Sequence, residues 1–400
     1  METTPGAPAI GERIRELRNG LMTQTDLAAA ADVSPDLVRK LEQGQRNTAS
    51  IASLHRIARA LDTDLGDLLG RRAIPDSAPH AGVVALRQAV TDVDDLLGDV
   101  QGEPLTLRDA ERSVTYLWGT YWSGKYDTLT DLIPQALTGL RAALHNAAAT
   151  NRAQAVEHLA QGYWVAGSTL AHLRQQDAAF IAVRRAVGLA EQSDDPLLVA
   201  TLKGSVAWQL MVGGRFDEAS RVATRTAEDI EPSGEVSMPQ LSAYGSLLIS
   251  AATAAGRANQ VVEARDLLGA GGEVAQRIGA DRTDYQTPFG PSQVAMQTVD
   301  VGVVTEDYPA ALTDARRMPP NPGLPLAACC RHLADRAYAH SKLGEESKAL
   351  TLLLTAEGMS PDCIRHQSLV RSITRDLLAT ERARSTSLRD LAQRIGVNRT

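Results

Sequence analysis

Apolar residues at helical spacing run through roughly the first seventy residues and predict five short helices. Ile10, Ile14 and Leu17 form the first stripe, three and four residues apart as on one face of a helix. Ser34 followed by Pro35 is typical of a helix start, because serine caps a free amide and proline has none to leave unpaired. The other stripes are Leu27, Ala28 and Ala31; Leu37, Val38 and Leu41; Ile51, Leu54, Ile57, Ala58 and Leu61; and Leu65, Leu68 and Leu69.

Further along the chain the pattern becomes a series of paired helices. Residues 71–82 contain two prolines and a glycine without periodicity, which predicts a linker. After it, a helix, a tight polar turn and an alanine-rich second helix recur six times, with turns 38 to 50 residues apart. These turns begin at Gly124, Arg174, Gly214, Gly256, Glu306 and Gly344. Pro/Gly-rich loops are predicted at residues 231–239, 287–291 and 318–325.

Three of these units carry more of a known repeat pattern. The matching residues are Tyr163, Gly167, Ala179 and Ala186; Ala207, Leu210 and Ala219; and Leu333, Ala337, Ala349, Ala356 and Pro361. Over roughly residues 83–380 the chain resembles tetratricopeptide repeats, whose period is about 34 residues. The resemblance implies a right-handed α-solenoid, and the predicted fold class is therefore all-α.

Composition agrees with packed helices. The 400-residue chain is 44% hydrophobic and only 4% aromatic. Its three cysteines are too few for a disulfide scaffold and lack metal-ligand spacing, so we expect a reduced, cytoplasmic protein with no metal and no cofactor. The longest uncharged stretch, residues 236–256, contains a proline and several serines. It predicts a buried helix rather than a membrane span.

The charge balance permits a nucleic-acid partner without arguing for one. The chain total is −7, but the excess acid lies beyond residue 75, and residues 35–59 carry a local surplus of three positive charges. DNA affinity depends on the protein face presented to phosphate and not on the chain total. Charge alone therefore excludes no partner class.

The N-terminal helices carry a recognisable motif. Residues 23–47 have the sequence TQTDLAAAADVSPDLVRKLEQGQRN, and LHRIARAL follows from Leu54. This run resembles the helix-turn-helix of the Cro/CI-type (XRE) repressors. Asp32 stands where that family usually has glycine, and aspartate tolerates the left-handed conformation better than most residues. The resemblance implies a five-helix DNA-binding domain over residues 1–70, with its third helix in the major groove.

The resemblance also implies roles for individual positions. Base edges would be contacted by Pro35, Asp36, Arg39 and Lys40, and phosphates by Gln24, Gln45, Arg46 and Asn47. Asp36 can accept from cytosine N4, and Arg39 or Lys40 can donate to guanine O6 and N7. Two alternatives need no DNA: a salt bridge between Asp36 and Lys40, one helical turn apart, and a solvated loop charge at Arg46.

Aromatic residues concentrate on the predicted first helices of the pairs. The candidates for effector contact are Trp118, Trp122, Trp164, Trp208 and Tyr244. First helices line the concave surface of such a solenoid, so these rings predict an aromatic-lined ligand groove. The alternative, which we favour for any single ring, is that they fill space between helices.

These features predict a cytoplasmic, nucleoid-associated transcriptional regulator. No catalytic motif is present, and we expect no enzyme. The repeat domain, residues 83–400, is expected to sense a peptide or small-molecule effector, to dimerise, or both; the pairing resembles the peptide-pheromone receptors of Gram-positive bacteria. A homodimer on a pseudo-palindromic operator follows from the short reach of one helix-turn-helix. The alternative is a protein-interaction adaptor whose N-terminal domain is vestigial or only localises the chain.

Overall fold

The computed structural model describes residues 10–19, 22–46, 49, 51–61, 63, 68, 81–93, 97–100, 102–380 and 386–397. Within these residues the chain forms twenty α-helices, two short 3₁₀ helices and one two-stranded hairpin, so the predicted all-α class is confirmed. The chain divides into two compact units, one made by the first 79 residues and the other by nearly all of the rest.

The first unit follows the predicted stripes. Its described helices are α1 (Ile10–Arg18), α2 (Gln24–Ala30), α3 (Pro35–Glu42) and α4 (Ile51–Ala60). Its fully buried side chains include Ile14, Leu27, Val38 and Ile57. The predicted fifth helix lies outside the described residues except for Leu68, which is buried in the same core.

The second unit is built from helix pairs. It begins with α5 (Ala81–Val90), so Ala81 and Gly82 are helical and not part of the linker as predicted; the preceding linker residues lie outside the described part. The pairs are α6 (Leu107–Trp122) with α7 (Tyr126–His145), α8 (Arg152–His172) with α9 (Gln176–Ala190), α10 (Pro196–Val212) with α11 (Phe216–Asp229), α12 (Met238–Arg257) with α13 (Val261–Ile278), α14 (Pro291–Val304) with α15 (Tyr308–Asp314), and α16 (Leu326–Lys342) with α17 (Glu346–Met359). The unit ends with α18 (Pro361–His366), α19 (Ser368–Thr380) and α20 (Thr386–Arg394).

One backbone conformation joins the two helices of every pair. The residue that reverses the chain has a positive φ, between +60° and +76°, at Gly124, Arg174, Gly214, Asn259, Glu306 and Gly344. Five of these are the predicted turn residues. In the fourth pair the prediction was wrong by three residues: Gly256 lies inside α12, and Asn259 takes the left-handed position, which asparagine tolerates.

The same hydrogen bond closes each of these turns. In the first, the Lys125 amide donates to the Thr120 carbonyl at 3.2 Å; in the third, the Arg215 amide donates to the Leu210 carbonyl at 2.9 Å. This bond satisfies a carbonyl that the helix end would otherwise leave unpaired. The six turns are therefore a structural repeat even where the sequence repeat is weak.

First helices of successive pairs also pack on one another, α6 on α8, α8 on α10 and α10 on α12. The end of the unit then returns to its beginning. A Cβ atom added to Gly124 would lie 3.1 Å from the Cys363 Cβ atom and 3.2 Å from the Ser360 hydroxyl. The first turn therefore packs against the start of α18, near the end of the unit.

A β-hairpin interrupts the helical pattern between α13 and α14. Its strands are β1 (Arg282–Asp284) and β2 (Thr287–Phe289), and β2 falls within residues 287–291, which the sequence predicted to be a loop. Phe289 is buried in a space that Gly245 of α12 leaves open, since a Cβ there would lie 2.0 Å from the ring. At the tip, the Tyr285 hydroxyl donates to Asp195 Oδ1 at 3.1 Å.

The uncharged stretch of the sequence forms α12, and most of its residues are buried against neighbouring helices. In the described part of the chain, no helix is both long and apolar enough to cross a membrane.

The shared turn and a position within a helix make opposite predictions for replacing glycine with alanine. Gly344 has φ +75°, and an added Cβ there meets no atom within 4 Å, so Gly344→Ala adds backbone strain alone. We expect this variant to lower the free energy of unfolding of the repeat unit by about 1 kcal/mol. Glu306→Gly, at φ +65°, should raise it by up to about 1 kcal/mol. Urea denaturation of the full chain followed by tryptophan fluorescence measures both, since all four tryptophans lie in this unit.

Gly188→Ala is the matched control. Gly188 lies within α9, and a Cβ there also meets nothing within 4 Å. Here the same substitution should stabilise the unit, because alanine is the better helix former. Effects of the same sign at Gly188 and Gly344 would contradict the assigned role of the turn.

Candidate nucleic-acid interface

Asp32 makes the turn between the second and third helices. α2 begins with a reciprocal cap, in which the Asp26 amide donates to Thr23 Oγ1 and the Thr23 amide donates to the Asp26 carboxylate. Asp32 then adopts a φ of +49°. The Val33 amide donates back to the Ala28 carbonyl at 2.9 Å. Aspartate thus occupies the left-handed position usually held by glycine, as the sequence predicts.

α3 is fixed at both ends. Ser34 caps it, its hydroxyl accepting from the Leu37 amide at 3.2 Å, and Pro35 is its first residue. Gly44, with φ +66°, follows its C-terminal end. Val38 and Leu41 are buried, so the opposite face of α3 is presented to solvent.

That exposed face carries all four predicted base-contacting residues, Pro35, Asp36, Arg39 and Lys40. Spacings of one, three and four residues place them on one side of the helix. Two of the predicted phosphate-contacting residues, Gln45 and Arg46, are exposed just beyond α3. Asn47 lies outside the described residues.

Asp36 pairs with both cations of this face. Its carboxylate contacts the Arg39 guanidinium and, at 2.6 Å, Lys40 Nζ. The side chains of Asp36, Arg39 and Lys40 are 51%, 49% and 45% exposed. The hydrogen bonds from Lys40 and Arg39 lower the pKa of the Asp36 carboxyl. The salt bridge offered as the alternative to DNA contact is thus formed in the free chain, and it includes Arg39.

Glu42 is not one of the predicted DNA-contacting residues. Its buried side chain connects three segments of the N-terminal unit through hydrogen bonds. Its side chain is 2% exposed and accepts from Arg18 Nε at 2.7 Å and from Gln24 Nε2 at 2.7 Å. Burial raises the pKa of the Glu42 carboxyl, but these hydrogen bonds outweigh burial, and the pKa lies below its ordinary value. Arg18 also donates to the Met22 carbonyl at 2.9 Å. The network joins the end of α1, the start of α2 and the end of α3.

This network limits what Gln24 can offer to a phosphate. One hydrogen of its side-chain amide is engaged by Glu42. The second amide hydrogen and the backbone N–H at the first position of α2 are the donors that Gln24 has left for an anion. Its predicted phosphate contact therefore depends on those two groups.

α1 and α3 approach each other at a glycine. A Cβ atom on Gly11 would lie 1.8 Å from the Leu41 carbonyl oxygen. No side chain fits there, so Gly11 sets the distance between α1 and the C-terminal turn of α3. Together with the Arg18–Glu42 ion pair, this contact fixes the position of α3, and so of its exposed face, relative to α1.

In the second unit, two of the five predicted effector-contacting rings are buried. Trp118 and Trp164 are 3% and 4% exposed, and their ring centroids lie 4.9 Å apart in an edge-to-face arrangement. Trp164 Nε1 also donates to Ser205 Oγ at 2.9 Å. These two rings therefore fit the alternative reading of the sequence, in which aromatic side chains fill the space between helices.

Trp122, Trp208 and Tyr244 are only partly buried. His172, which the sequence did not single out, lies 5.6 Å from Trp208 and stacks on Tyr126 at 4.4 Å between ring centroids. The aromatic surface open to a ligand is therefore smaller than the five-ring groove that the sequence predicted.

No group of three or more His, Cys, Asp or Glu side chains is arranged to hold a metal ion among the residues described. The three cysteines are free, and Cys330 and Cys363 are buried. The helices therefore present no metal centre in that part of the chain.

Residues 9–70 match the family model described as a helix-turn-helix domain. The match spans α1 to α4 and includes the turn at Asp32. The N-terminal unit is therefore a helix-turn-helix domain. No curated protein matches the chain.

Several solved structures are similar to the chain over most of its length. Aspartyl phosphate phosphatase F from Bacillus subtilis is 14% identical, with 92% of this chain and 97% of that chain covered and a TM-score of 0.45. PlcR from Bacillus thuringiensis, in complex with the peptide PapR7 and DNA, is 11% identical, with 90% and 98% covered and a TM-score of 0.31. A Rap protein complexed with competence and sporulation factor is 11% identical, with 90% and 99% covered and a TM-score of 0.45. All three TM-scores are below 0.5, so the assignment of the fold depends on the helices of this chain alone.

Gly11→Ala should destabilise the N-terminal unit. The new methyl group would overlap the Leu41 carbonyl, and forcing two helices apart costs about 1–3 kcal/mol. The methyl NMR signals of Ile14 and Leu27 report urea unfolding of this unit. Glu16→Ala, on the exposed face of the same helix, should leave the midpoint nearly unchanged; equal midpoints for both variants would contradict the close approach.

Glu42→Gln should cost this unit about 2 kcal/mol at pH 7, because the ion pair with Arg18 is lost and an amide has one acceptor oxygen where the carboxylate has two. The lowered pKa of Glu42 means that its contribution is fully present above the unfolded pKa of about 4.3. It is lost as the pH falls through the folded pKa. The same NMR signals, followed in urea from pH 7 to pH 3, should show the difference between wild type and variant shrinking on acidification. A difference independent of pH would show that the carboxylate charge is not what stabilises the turn.

Proposed function

We propose that this chain is a sequence-specific DNA-binding transcriptional regulator, cytoplasmic and nucleoid-associated, with α3 as its recognition helix. The observation that carries the proposal is the exposed face of α3, where Arg39 and Lys40 stand beside Asp36 in a helix-turn-helix domain. A major groove admits an α-helix whose N-terminal half presents such side chains to base edges. The buried Glu42 network holds that face in place before DNA is met.

Phosphate contacts would flank the recognition helix. Gln24 precedes it at the start of α2, and Gln45, Arg46 and Asn47 follow it. Such contacts position a protein on the duplex and carry no sequence information. Specificity in this proposal therefore rests on Asp36, Arg39 and Lys40, with Pro35 limited to an apolar contact such as a thymine methyl group.

A homodimer is the second part of the proposal. One recognition helix contacts only a few base pairs, and two copies on half-sites about 34–36 Å apart give useful specificity. The expected operator is pseudo-palindromic, because its symmetry mirrors that of the dimer.

The helical-repeat unit is proposed to bind a peptide or small-molecule effector. Trp122, Trp208 and Tyr244 are the candidate contacts that keep exposed surface. Trp118 and Trp164 belong to the core against which Trp122 and Trp208 pack, whereas Tyr244 packs against a separate cluster. An effector regulates only if it binds two arrangements of the protein with different affinity. The proposal therefore places sensing and DNA contact in different units of one chain.

Selection from a random duplex library with the purified full chain at near-physiological salt tests the DNA-binding proposal. We expect a two-fold symmetric site to be enriched. Arg39→Ala/Lys40→Ala should bind that site about 100-fold more weakly, since each base contact is worth about 1–3 kcal/mol.

Arg59→Ala controls for lost positive charge. Arg59 is an exposed arginine on α4 and not on the recognition helix, and its removal should weaken binding much less than the double substitution. If the wild type enriches no sequence and binds duplex DNA no better than the double variant, the proposal fails. The repeat unit would then be tested as a protein-docking adaptor.

A further inference from the structure

Asp36 is the one exposed acid on α3; the other acid of this helix, Glu42, is buried. Its carboxylate lies one turn before both cations of the same face and contacts both of them. Each cation that α3 offers to DNA is therefore already paired in the free chain. Arg39 and Lys40 carry two positive charges and Asp36 carries one negative charge, so the net charge of this face is +1.

These pairs are exchangeable. All three side chains are about half exposed, and ion pairs of that kind typically contribute less than about 1 kcal/mol. A guanine offers its O6 and N7 acceptors to Arg39 or Lys40 in the major groove. Engaging a guanine thus costs little on the protein side, but it removes a partner from Asp36.

The released carboxylate then needs a donor. Major-groove acceptors, namely guanine O6 and N7, adenine N7 and thymine O4, repel it, and phosphate oxygens repel it as well. Cytosine N4 is the donor that aspartate matches in the major groove, because the other base donor there, adenine N6, lies beside the repelling N7 acceptor of the same base. A duplex without a suitably placed cytosine leaves Asp36 either unpaired or still holding the two cations.

We propose that Asp36 is a specificity-determining residue, which keeps Arg39 and Lys40 engaged on non-cognate DNA and releases them where a cytosine amine replaces them as its partner. This inference rests on the proposed function, and it makes the salt bridge and the base contact two states of the same residue. The inference predicts that each half-site of the operator contains a cytosine near the guanine contacted by Arg39 or Lys40. Asp36 then lowers affinity for non-cognate sequence more than it raises affinity for the operator.

Library selection with wild type, Asp36→Ala and Asp36→Asn tests this inference, together with affinities for the selected site and for a scrambled duplex over a range of salt. We expect both variants to bind the scrambled duplex about tenfold more tightly than wild type. Their salt dependence there should steepen by about one unit of log–log slope, as for one more cation at phosphate. Preference for cytosine at one position of each half-site should disappear in Asp36→Ala, while guanine selection persists.

Glu16→Ala is the matched control for losing one negative charge. Glu16 is exposed on α1 and not on the recognition helix. This variant should keep the wild-type sequence preference and change affinity for the scrambled duplex less than twofold. Unfolding followed by the Ile14 and Leu27 methyl signals confirms that all variants remain folded.

Two results overturn the inference. Asp36→Ala and Glu16→Ala behaving alike, with the cytosine retained, would make Asp36 an ordinary solvated ion-pair partner while leaving sequence-specific binding intact. Wild type selecting no sequence would instead remove the proposed function, and the role of Asp36 with it. The first outcome leaves an operator and the second does not, so the two failures are distinguishable.

Discussion

Both units depend on the same turn. In it, one residue has the left-handed conformation, and the amide of the next residue donates a hydrogen bond to the carbonyl five positions earlier in the chain. It joins α2 to α3 through Asp32, with the Val33 amide bonded to the Ala28 carbonyl. It also joins the two helices of every pair in the repeat unit. A helix end leaves carbonyls unpaired, and this turn satisfies one of them while reversing the chain in very few residues. Because the six repeat turns have nearly the same φ, each pair leaves its turn in the same direction, and successive pairs can stack in the same way.

Long-range contacts then determine which parts of this regular framework can vary. Gly124 serves both as a left-handed residue and as the place where α18 packs on the first pair, so a larger residue there meets Cys363 as well as backbone strain. Gly214 and Gly344 have nearly the same φ, and at Gly344 an added Cβ would meet no atom within 4 Å. Local conformation explains glycine at all three turns, and the closing contact explains why Gly124 has the least freedom.

The sequence predicted the features that depend on residues close together in the chain. Helical spacing predicts α1 to α4, and the helix-turn-helix pattern predicts that Asp32 takes the left-handed conformation that it has in the structure. The turn register failed at Gly256 because glycine is a turn signal in general, whereas here the helix continues and Asn259 reverses the chain. The hairpin at residues 282–289 was missed because a proline and a glycine favoured a loop, and the space for Phe289 is created by Gly245, far away in sequence. Glu42 pairs with Arg18 across 24 positions, and no local pattern marks such a pair. The same holds for Trp118 and Trp164, whose burial depends on how two helix pairs meet.

Asp36 and Glu42 lie on the same helix and both bind arginine, yet burial gives them opposite roles. The Glu42 side chain is 2% exposed, so removing its arginine would leave a buried charge unpaired, at a cost of about 3–5 kcal/mol. That pair cannot be exchanged for a contact with DNA and serves only to hold α1, α2 and α3 together. The Asp36 side chain is 51% exposed, and its pairs can be given up for less than about 1 kcal/mol each. A good base contact is worth about 1–3 kcal/mol, which exceeds that cost unless the released carboxylate is left without a donor in the interface, a penalty of about 1–3 kcal/mol. The permanent acid therefore lies at the C-terminal end of α3 and the exchangeable one at its N-terminal end, where a recognition helix meets the bases.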